Sequence, residues 1–265
     1  MLFRKIGSIF PKEAQLPTLI DRNDQIRVYY SNRINNQSFI NYFEVHKKNL
    51  KISYINKKPV LCPGKRGCFD DVGVMPSCFD DENNELMYYT GWSLRENVPY
   101  VQAIGSAIFN ENKNKFERLS IGPILDRSDK VPYLCNSAFI KNKKMFFCNG
   151  TGWKNNFPTY NIWFAKKNSN QNWIVYDHVL GSKKEACSRP CIMKNCFILS
   201  KKTKNSSYEI FTYENGRFNK AIPRSRNISD WDYEMTCYPY FFDEKYVFYN
   251  GNGYGKSGVG VAELL

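Results

Sequence analysis

Three carboxylates occupy matching places in this sequence: Asp71, Glu185 and Glu234 each stand five residues ahead of a proline, Pro76, Pro190 and Pro239. Two carboxyl groups facing each other across a cleft are what cleavage of a glycosidic bond requires, one as acid and the other as base or nucleophile. These three are therefore the candidate catalytic residues. Arg189, directly before Pro190, offers a planar fork that suits a carboxylate or phosphate, or that orients one of the three carboxylates. Polar residues Gln15, Asp70, Asn136 and Asp232 precede apolar runs in the same way, although Asp70 taken alone also reads as a turn residue or strand cap. Aromatic and amide groups gather in the glycine-rich segments Thr90-Gly91-Trp92, Asn149-Gly150-Thr151-Gly152-Trp153 and Asn250-Gly251-Asn252-Gly253-Tyr254-Gly255, with Tyr100 and Tyr160 close by. Rings of this kind stack on the C–H faces of sugars and amides bond to hydroxyls, so Trp92, Tyr100, Trp153, Tyr160, Asn250 and Asn252 are candidate substrate contacts. Glycine lets backbone approach a ligand closely. No helix follows the last segment, which removes the phosphate-loop reading of its glycines.

Such groups work together only if the fold collects them. A short apolar, aromatic strand ending in a small polar residue recurs at Val28–Ser31, Met87–Thr90, Phe146–Cys148, Ile198–Ser200 and Phe248–Asn250, with terminal residues 59, 58, 52 and 50 positions apart. Ahead of each copy lies a second strand, opened by proline in four cases (Pro17, Pro76, Pro190, Pro239), which suits a residue that donates no ladder hydrogen bond. Behind each lies a third. A period near fifty with β-branched and aromatic strands predicts four-stranded blades. The expected fold is all-β: a five-bladed β-propeller of four-stranded antiparallel blades, one domain over residues 1–265. The blades fall near 14–61, 72–125, 131–180, 185–224 and 235–265 plus 1–10. The chain ends before a fourth strand for the last blade, so Phe3–Phe10 is expected to supply it and remove an open edge. A β-sandwich is the alternative.

Composition bounds the partners. With 42% hydrophobic residues the chain can bury a large core, and its formal charge of +13 favours an anionic ligand. No run of basic residues or known motif points to nucleic acid, and no apolar stretch is long enough to span a bilayer. The start of the chain lacks the apolar run of a secretory signal, so a cytoplasmic location is expected. Nine cysteines, an odd number without metal-ligand spacing, read as free thiols of a reducing compartment; no metal or cofactor is expected.

The runs Ala14–Pro17, Ile26–Arg33, Phe69–Ser77, Tyr88–Trp92, Ser188–Pro190 and Tyr249–Gly255 together resemble a bacterial family associated with surface-polysaccharide gene clusters. They are also similar to the propeller domain of plant glucosamine inositolphosphorylceramide transferases. More distantly the chain looks like the five-bladed glycoside hydrolases of the arabinanase, xylosidase, invertase and levansucrase groups. The resemblance brings Arg33 into the set of candidate contacts. It implies a glycosidase-like, carbohydrate-active protein acting on a glycosidic or sugar-phosphate linkage in surface-glycan synthesis, with a sugar, nucleotide sugar or anionic glycan as ligand. Those hydrolases place an acidic residue directly before the first-strand proline, where this sequence has Leu16, Met75, Arg189 and Tyr238. A sugar-binding propeller without catalysis and a protein-interaction scaffold are the competing readings.

Overall fold

The computed structural model describes residues 1–265 apart from 155–156, 183 and 204–205. Strand β1 is Phe3–Phe10. Next come β2 (Gln15–Arg22), β3 (Gln25–Ile34), β4 (Gln37–His46) and β5 (Ile52–Ile55), then β6 (Gly73–Phe79), β7 (Leu86–Leu94), β8 (Tyr100–Asn110) and β9 (Lys115–Arg118). A third group is β10 (Cys135–Lys141), β11 (Lys144–Lys154), β12 (Phe157–Lys167) and β13 (Trp173–Leu180). A fourth is β14 (Glu185–Met193), β15 (Cys196–Thr203), β16 (Glu209–Glu214) and β17 (Arg217–Ile222). The last strands are β18 (Cys237–Phe242), β19 (Tyr246–Asn250) and β20 (Val259–Leu264).

Within each group consecutive strands pair antiparallel. The first two groups join into one sheet through a parallel bridge between Ser38 and Gly73. Strand β1 completes the last sheet by pairing with β20, from Phe3 opposite Leu264 to Phe10 opposite Val259, as the missing fourth strand demanded. The first strands β2, β6, β10, β14 and β18 pack each against the next, and β18 packs back against β2. Alternation of side chains across these sheets sends one face of every unit into a neighbour. The largest cluster accordingly draws Phe10, Tyr30, Phe43, Tyr88, Phe147 and Phe248 from several units.

Each first strand carries a bulge at its proline position or, in β6, one residue beyond it. In four of them the bulged residue is left-handed without being glycine: Leu16 (φ 58), Ser137 (φ 50), Arg189 (φ 52) and Tyr238 (φ 54). Such backbone costs on the order of 1 kcal/mol or more per residue and persists only where its surroundings fix it. What fixes it is the recurrent small polar residue of the preceding unit. The Leu16 amide donates to Asn250 Oδ1 (2.8 Å), Ser137 to Thr90 Oγ1 (3.0 Å), Arg189 to Cys148 Sγ (3.1 Å) and Tyr238 to Ser200 Oγ (2.8 Å). Between the first two units Ser31 Oγ donates to the Val74 carbonyl (3.3 Å) instead. The residues that mark the sequence repeat thus clasp every unit to its successor, and Asn250, which also donates to the carbonyls of Ala14 (2.7 Å) and Gly258 (2.8 Å), closes the circle.

The Arg189 side chain plugs the middle of this ring. Fully buried, its guanidinium donates to the carbonyls of Pro17 (3.1 Å) and Pro76 (3.2 Å) and to Thr18 Oγ1 (2.7 Å), 5.8 Å from the Tyr240 ring. The expectation that Arg189 contacts substrate is corrected by this placement: left-handed backbone at the bulge turns the side chain inward, and its donors are spent on two strands of the protein itself, β2 and β6. Burial pulls its pKa below the ordinary value.

Asp70 and Asp232 have a structural setting in common. Asp70 Oδ2 accepts from Tyr89 (3.0 Å) and Arg118 (2.8 Å); Asp232 accepts from Tyr249 (3.0 Å) and pairs with Lys5 (2.6 Å). The aromatic residue before each aspartate, Phe69 or Trp231, lies flat over two glycines, Gly91 and Gly105 or Gly251 and Gly260, where any Cβ would collide with the ring. Both carboxylates are at most 1% exposed, so neither is free to meet a ligand.

Ser200→Ala, which strands a buried amide, is expected to lower unfolding free energy in urea by about 1–3 kcal/mol, and Asn250→Ala by more than Ser200→Ala. Loss below about 0.5 kcal/mol for both would show that the clasps hold nothing together. A second expectation concerns alkali. Burial pushes the Cys191 thiol to about 11 and those of Cys148 and Cys187 to about 12 from an ordinary 9.0, and the phenols of Tyr160, Tyr238 and Tyr249 well above 10.0. These groups hold protons more tightly folded than unfolded, so the stability they contribute is complete below about pH 9 and is lost as pH rises through the folded values. Urea midpoints measured under reducing conditions should therefore fall between pH 8 and pH 10.5; an unchanged midpoint would contradict the burial of these groups.

Candidate functional site

At the ends of the first strands lies a pocket of about 370 Å³, a size suited to a small ligand. Its floor is built from residues at or beside four of the bulges, Gln15 and Leu16 on β2, Asn136 and Ser137 on β10, Ser188 on β14 and Tyr238 on β18, together with Met75 on β6. A bulge re-aims side chains at such a position, and four of the bulges aim theirs at one space.

Aromatic residues make one wall. Trp92, near the end of β7, is held by donation from its Nε1 to Ser38 Oγ (2.7 Å), with Gly73 beneath leaving room for the indole. Tyr100 opens β8 and meets Trp92 edge-on at 6.4 Å, then Trp153 at 5.1 Å on its other side. The Arg33 guanidinium lies 5.6 Å over Trp92. Gln102 Oε1 accepts from Asn136 Nδ2 at 2.6 Å, joining β8 to β10 across the floor. Opposite, Tyr208 and Tyr238 both pack on Tyr254, at 6.2 and 6.1 Å, and the Lys202 ammonium lies 4.7 Å from the Tyr208 ring. Tyr254 is presented by the turn Asn252–Gly255, whose residues Gly253 and Tyr254 are left-handed.

Burial raises the phenols of Tyr100 and Tyr254, and those of Tyr160 and Tyr238 further, so they are neutral donors and acceptors near neutral pH. Desolvation lowers the Lys202 ammonium. Ser188 Oγ, 6% exposed, lies beside the Tyr208 phenol. Three cations, Arg33, Lys202 and Lys256, line this space, and among the described residues its wall holds no aspartate or glutamate. The arrangement can bind hydroxyls, stack on a ring and neutralise an anion. Two-carboxylate acid–base chemistry has no groups within it.

Of the residues singled out from the sequence, Gln15, Arg33, Trp92, Tyr100, Asn136 and Tyr160 come together here, with Trp153 behind Tyr100. Asp71, Glu185 and Glu234 are not in the wall. Asp71 accepts from the Gly67 amide in a loop (2.8 Å), Glu185 pairs with Lys201 (2.8 Å), and Glu234 is exposed with its backbone held by Asn252 (2.7 Å) and Arg224 (3.4 Å). Asn250 and Asn252, expected to meet substrate, spend their amides on backbone groups. The physical reason is position along the chain: Asp71 and Glu234 lie in the loops that precede β6 and β18, and Glu185 is the first residue of β14, ahead of its bulge. The sequence did not single out Gln102, Ser188, Lys202, Tyr208 or Lys256, and it offered Tyr254 only as part of the glycine-rich segment Asn250–Gly255. A signal existed for the floor, since Leu16, Met75 and Tyr238 directly precede the first-strand prolines.

No family profile matches the chain. Among solved structures, a glycoside hydrolase superposes with a TM-score of 0.67 at 14% identity, covering 98% of this chain and 91% of its own. A thermostable family-43 glycoside hydrolase gives 0.55 at 12% identity over 100% and 93%. The Bombyx mori GH32 beta-fructofuranosidase BmSUC1 gives 0.58 at 12% identity over 98% and 62%. These likenesses establish the glycoside-hydrolase propeller fold. In sequence, the chain is 30% identical to the uncharacterized proteins MT1551 and Rv1502 of Mycobacterium tuberculosis, each over 300 aligned positions that take in 100% of this chain and 99% of the relative. At that identity over its full length, this protein belongs to the family of MT1551 and Rv1502.

Proposed function

We propose that the chain is a carbohydrate-active protein, glycosidase-like in fold, whose pocket takes a sugar bearing negative charge. A sugar phosphate or nucleotide sugar used in surface-glycan synthesis is the ligand class that fits best. The observation that carries the reading is the wall itself: three cations and a cluster of buried phenols with no acidic side chain among the described residues. Neutral sugars need the rings and amides but not the cations, whereas an anionic group needs all three. The neighbouring glycoside hydrolases support a sugar ligand, and a further neighbour, BT0996, is in complex with RGII. The surface-polysaccharide setting rests on the resemblance of the sequence motifs. Nine free cysteines accord with a cytoplasmic location, where thiols stay reduced. The closed cycle of first strands supports one domain over residues 1–265.

The same wall favours binding over hydrolysis by a carboxylate pair. Calorimetric titration with glucose 1-phosphate, UDP-glucose and glucose tests the reading. The phosphorylated ligands are expected to bind at least about tenfold tighter than glucose, an advantage of roughly 1.4 kcal/mol; equal affinities would remove the charged-sugar reading. Asp71→Asn and Glu234→Gln are expected to keep affinity within about twofold, being outside the wall, whereas Trp92→Ala should weaken all sugar ligands about tenfold or more. A large loss in the carboxylate variants would return those residues to the site.

A further inference from the structure

We infer that the pocket contains a phosphoryl subsite on its fourth-unit side, where Lys202 and Ser188, backed by Tyr208, hold the phosphate of the ligand. This inference rests on the reading above that the ligand is a charged sugar, and it assigns the charge to particular atoms. Lys201 and Lys202 are neighbours on β15, and strand geometry sends them to opposite faces. Lys201 is satisfied: it pairs with Glu185 at 2.8 Å and lies over Phe211 and Phe218. Lys202 faces the pocket, half-buried over Tyr208, with no acidic partner among the described residues. An ammonium removed from water without a counter-ion is poorly solvated, and an anion entering the pocket relieves that.

The second observation is independent of charge. Ser188 and Ser200 sit opposite each other across β14 and β15. Ser200 spends its hydroxyl on the Tyr238 amide, whereas Ser188 Oγ, nine-tenths buried and in the pocket wall, has only the neighbouring Tyr208 phenol beside it. Buried hydroxyls are ordinarily fully paired, so one in a pocket wall with a single phenol beside it still has capacity for a ligand oxygen. Ala186 pairs with Lys202 two residues along from the Ser188–Ser200 pair, which puts Ser188 and Lys202 on neighbouring strands one pleat repeat apart. A compact ammonium and a hydroxyl suit phosphate oxygens, which are met well by point charge and single donors. Arg33, by contrast, is exposed and lies over Trp92, at the part of the pocket where a sugar ring would stack.

Titration calorimetry of the full chain with glucose 1-phosphate, glucuronic acid and glucose, on the parent and on Lys202→Gln, Lys202→Arg, Ser188→Ala and Arg33→Gln, tests the assignment; thermal unfolding confirms that each variant is folded. Glucose 1-phosphate affinity is expected to fall about thirtyfold in Lys202→Gln and about fivefold or more in Ser188→Ala. Lys202→Arg should retain more affinity than Lys202→Gln, and Arg33→Gln should lower glucose 1-phosphate affinity less than Lys202→Gln does. Glucose affinity should stay within about twofold in the Lys202 and Ser188 variants. If Arg33→Gln abolishes sugar-phosphate binding while Lys202→Gln does not, the subsite is misplaced although the charged-sugar reading stands. If the parent binds glucuronic acid as tightly as glucose 1-phosphate, the phosphoryl assignment fails. If the parent binds neither anion, both readings fall.

Discussion

The structure depends on one repeated interaction, in which a small polar side chain of a second strand bonds the backbone of the next unit's first strand, in four cases at its bulge. Sheets packed face to face by apolar contacts alone can slide, because the hydrophobic effect is not directional. A hydrogen bond to a left-handed amide permits one register only. Four such bonds and the Ser31–Val74 variant fix every unit against its successor, and none of the participants has much choice of partner once buried. The strain of four non-glycine residues at positive φ is the cost of this arrangement.

The clasps also explain why the pocket lies where it does. The residues held in place at the bulges are the residues that form the pocket floor, so scaffold and site share Leu16, Ser137 and Tyr238. Behind the floor, Arg189 ties β14 to β2 and β6 through their carbonyls, leaving no slack at the centre. A ligand therefore meets side chains whose backbone is already fixed, which lowers the entropy that binding must overcome. Phenols dominate the surroundings because a ring packs as core while its hydroxyl keeps one polar contact for the pocket.

Much of the fold was legible because its devices are local. Prolines at strand starts, the alternating aromatic strands and the small polar residues at positions 31, 90, 148, 200 and 250 are all contiguous patterns, and the arithmetic of strands placed Phe3–Phe10 beside the last unit. What the small polar residues do was not legible, since Asn250 and Leu16 are bonded partners far apart in the sequence. The site was read in part. Trp92, Tyr100 and Tyr160 were found because aromatic residues beside glycines are conspicuous, whereas Lys202 looks like any other lysine until strand alternation separates it from Lys201. The carboxylates were drawn from a matching offset of five residues to proline; the offset is real, but the pocket is built at the proline itself. Asp70 and Asp232 show how a repeated acidic residue serves a fold, each being buried against a tyrosine and a cation.

The seam between β1 and β20 sets the order of events during synthesis. Strand β1 is made long before the strand it pairs with, Phe3 lying opposite Leu264. Until β20 emerges, β1 has no place to dock, and until Asn250 emerges the clasp onto Leu16 is missing as well. Such a contact, spanning so much of the polypeptide, is slow to form and leaves apolar edges open while it waits. The growing molecule is an unlatched ring, and its maturation is completed by the homecoming of a strand that the ribosome released four units earlier.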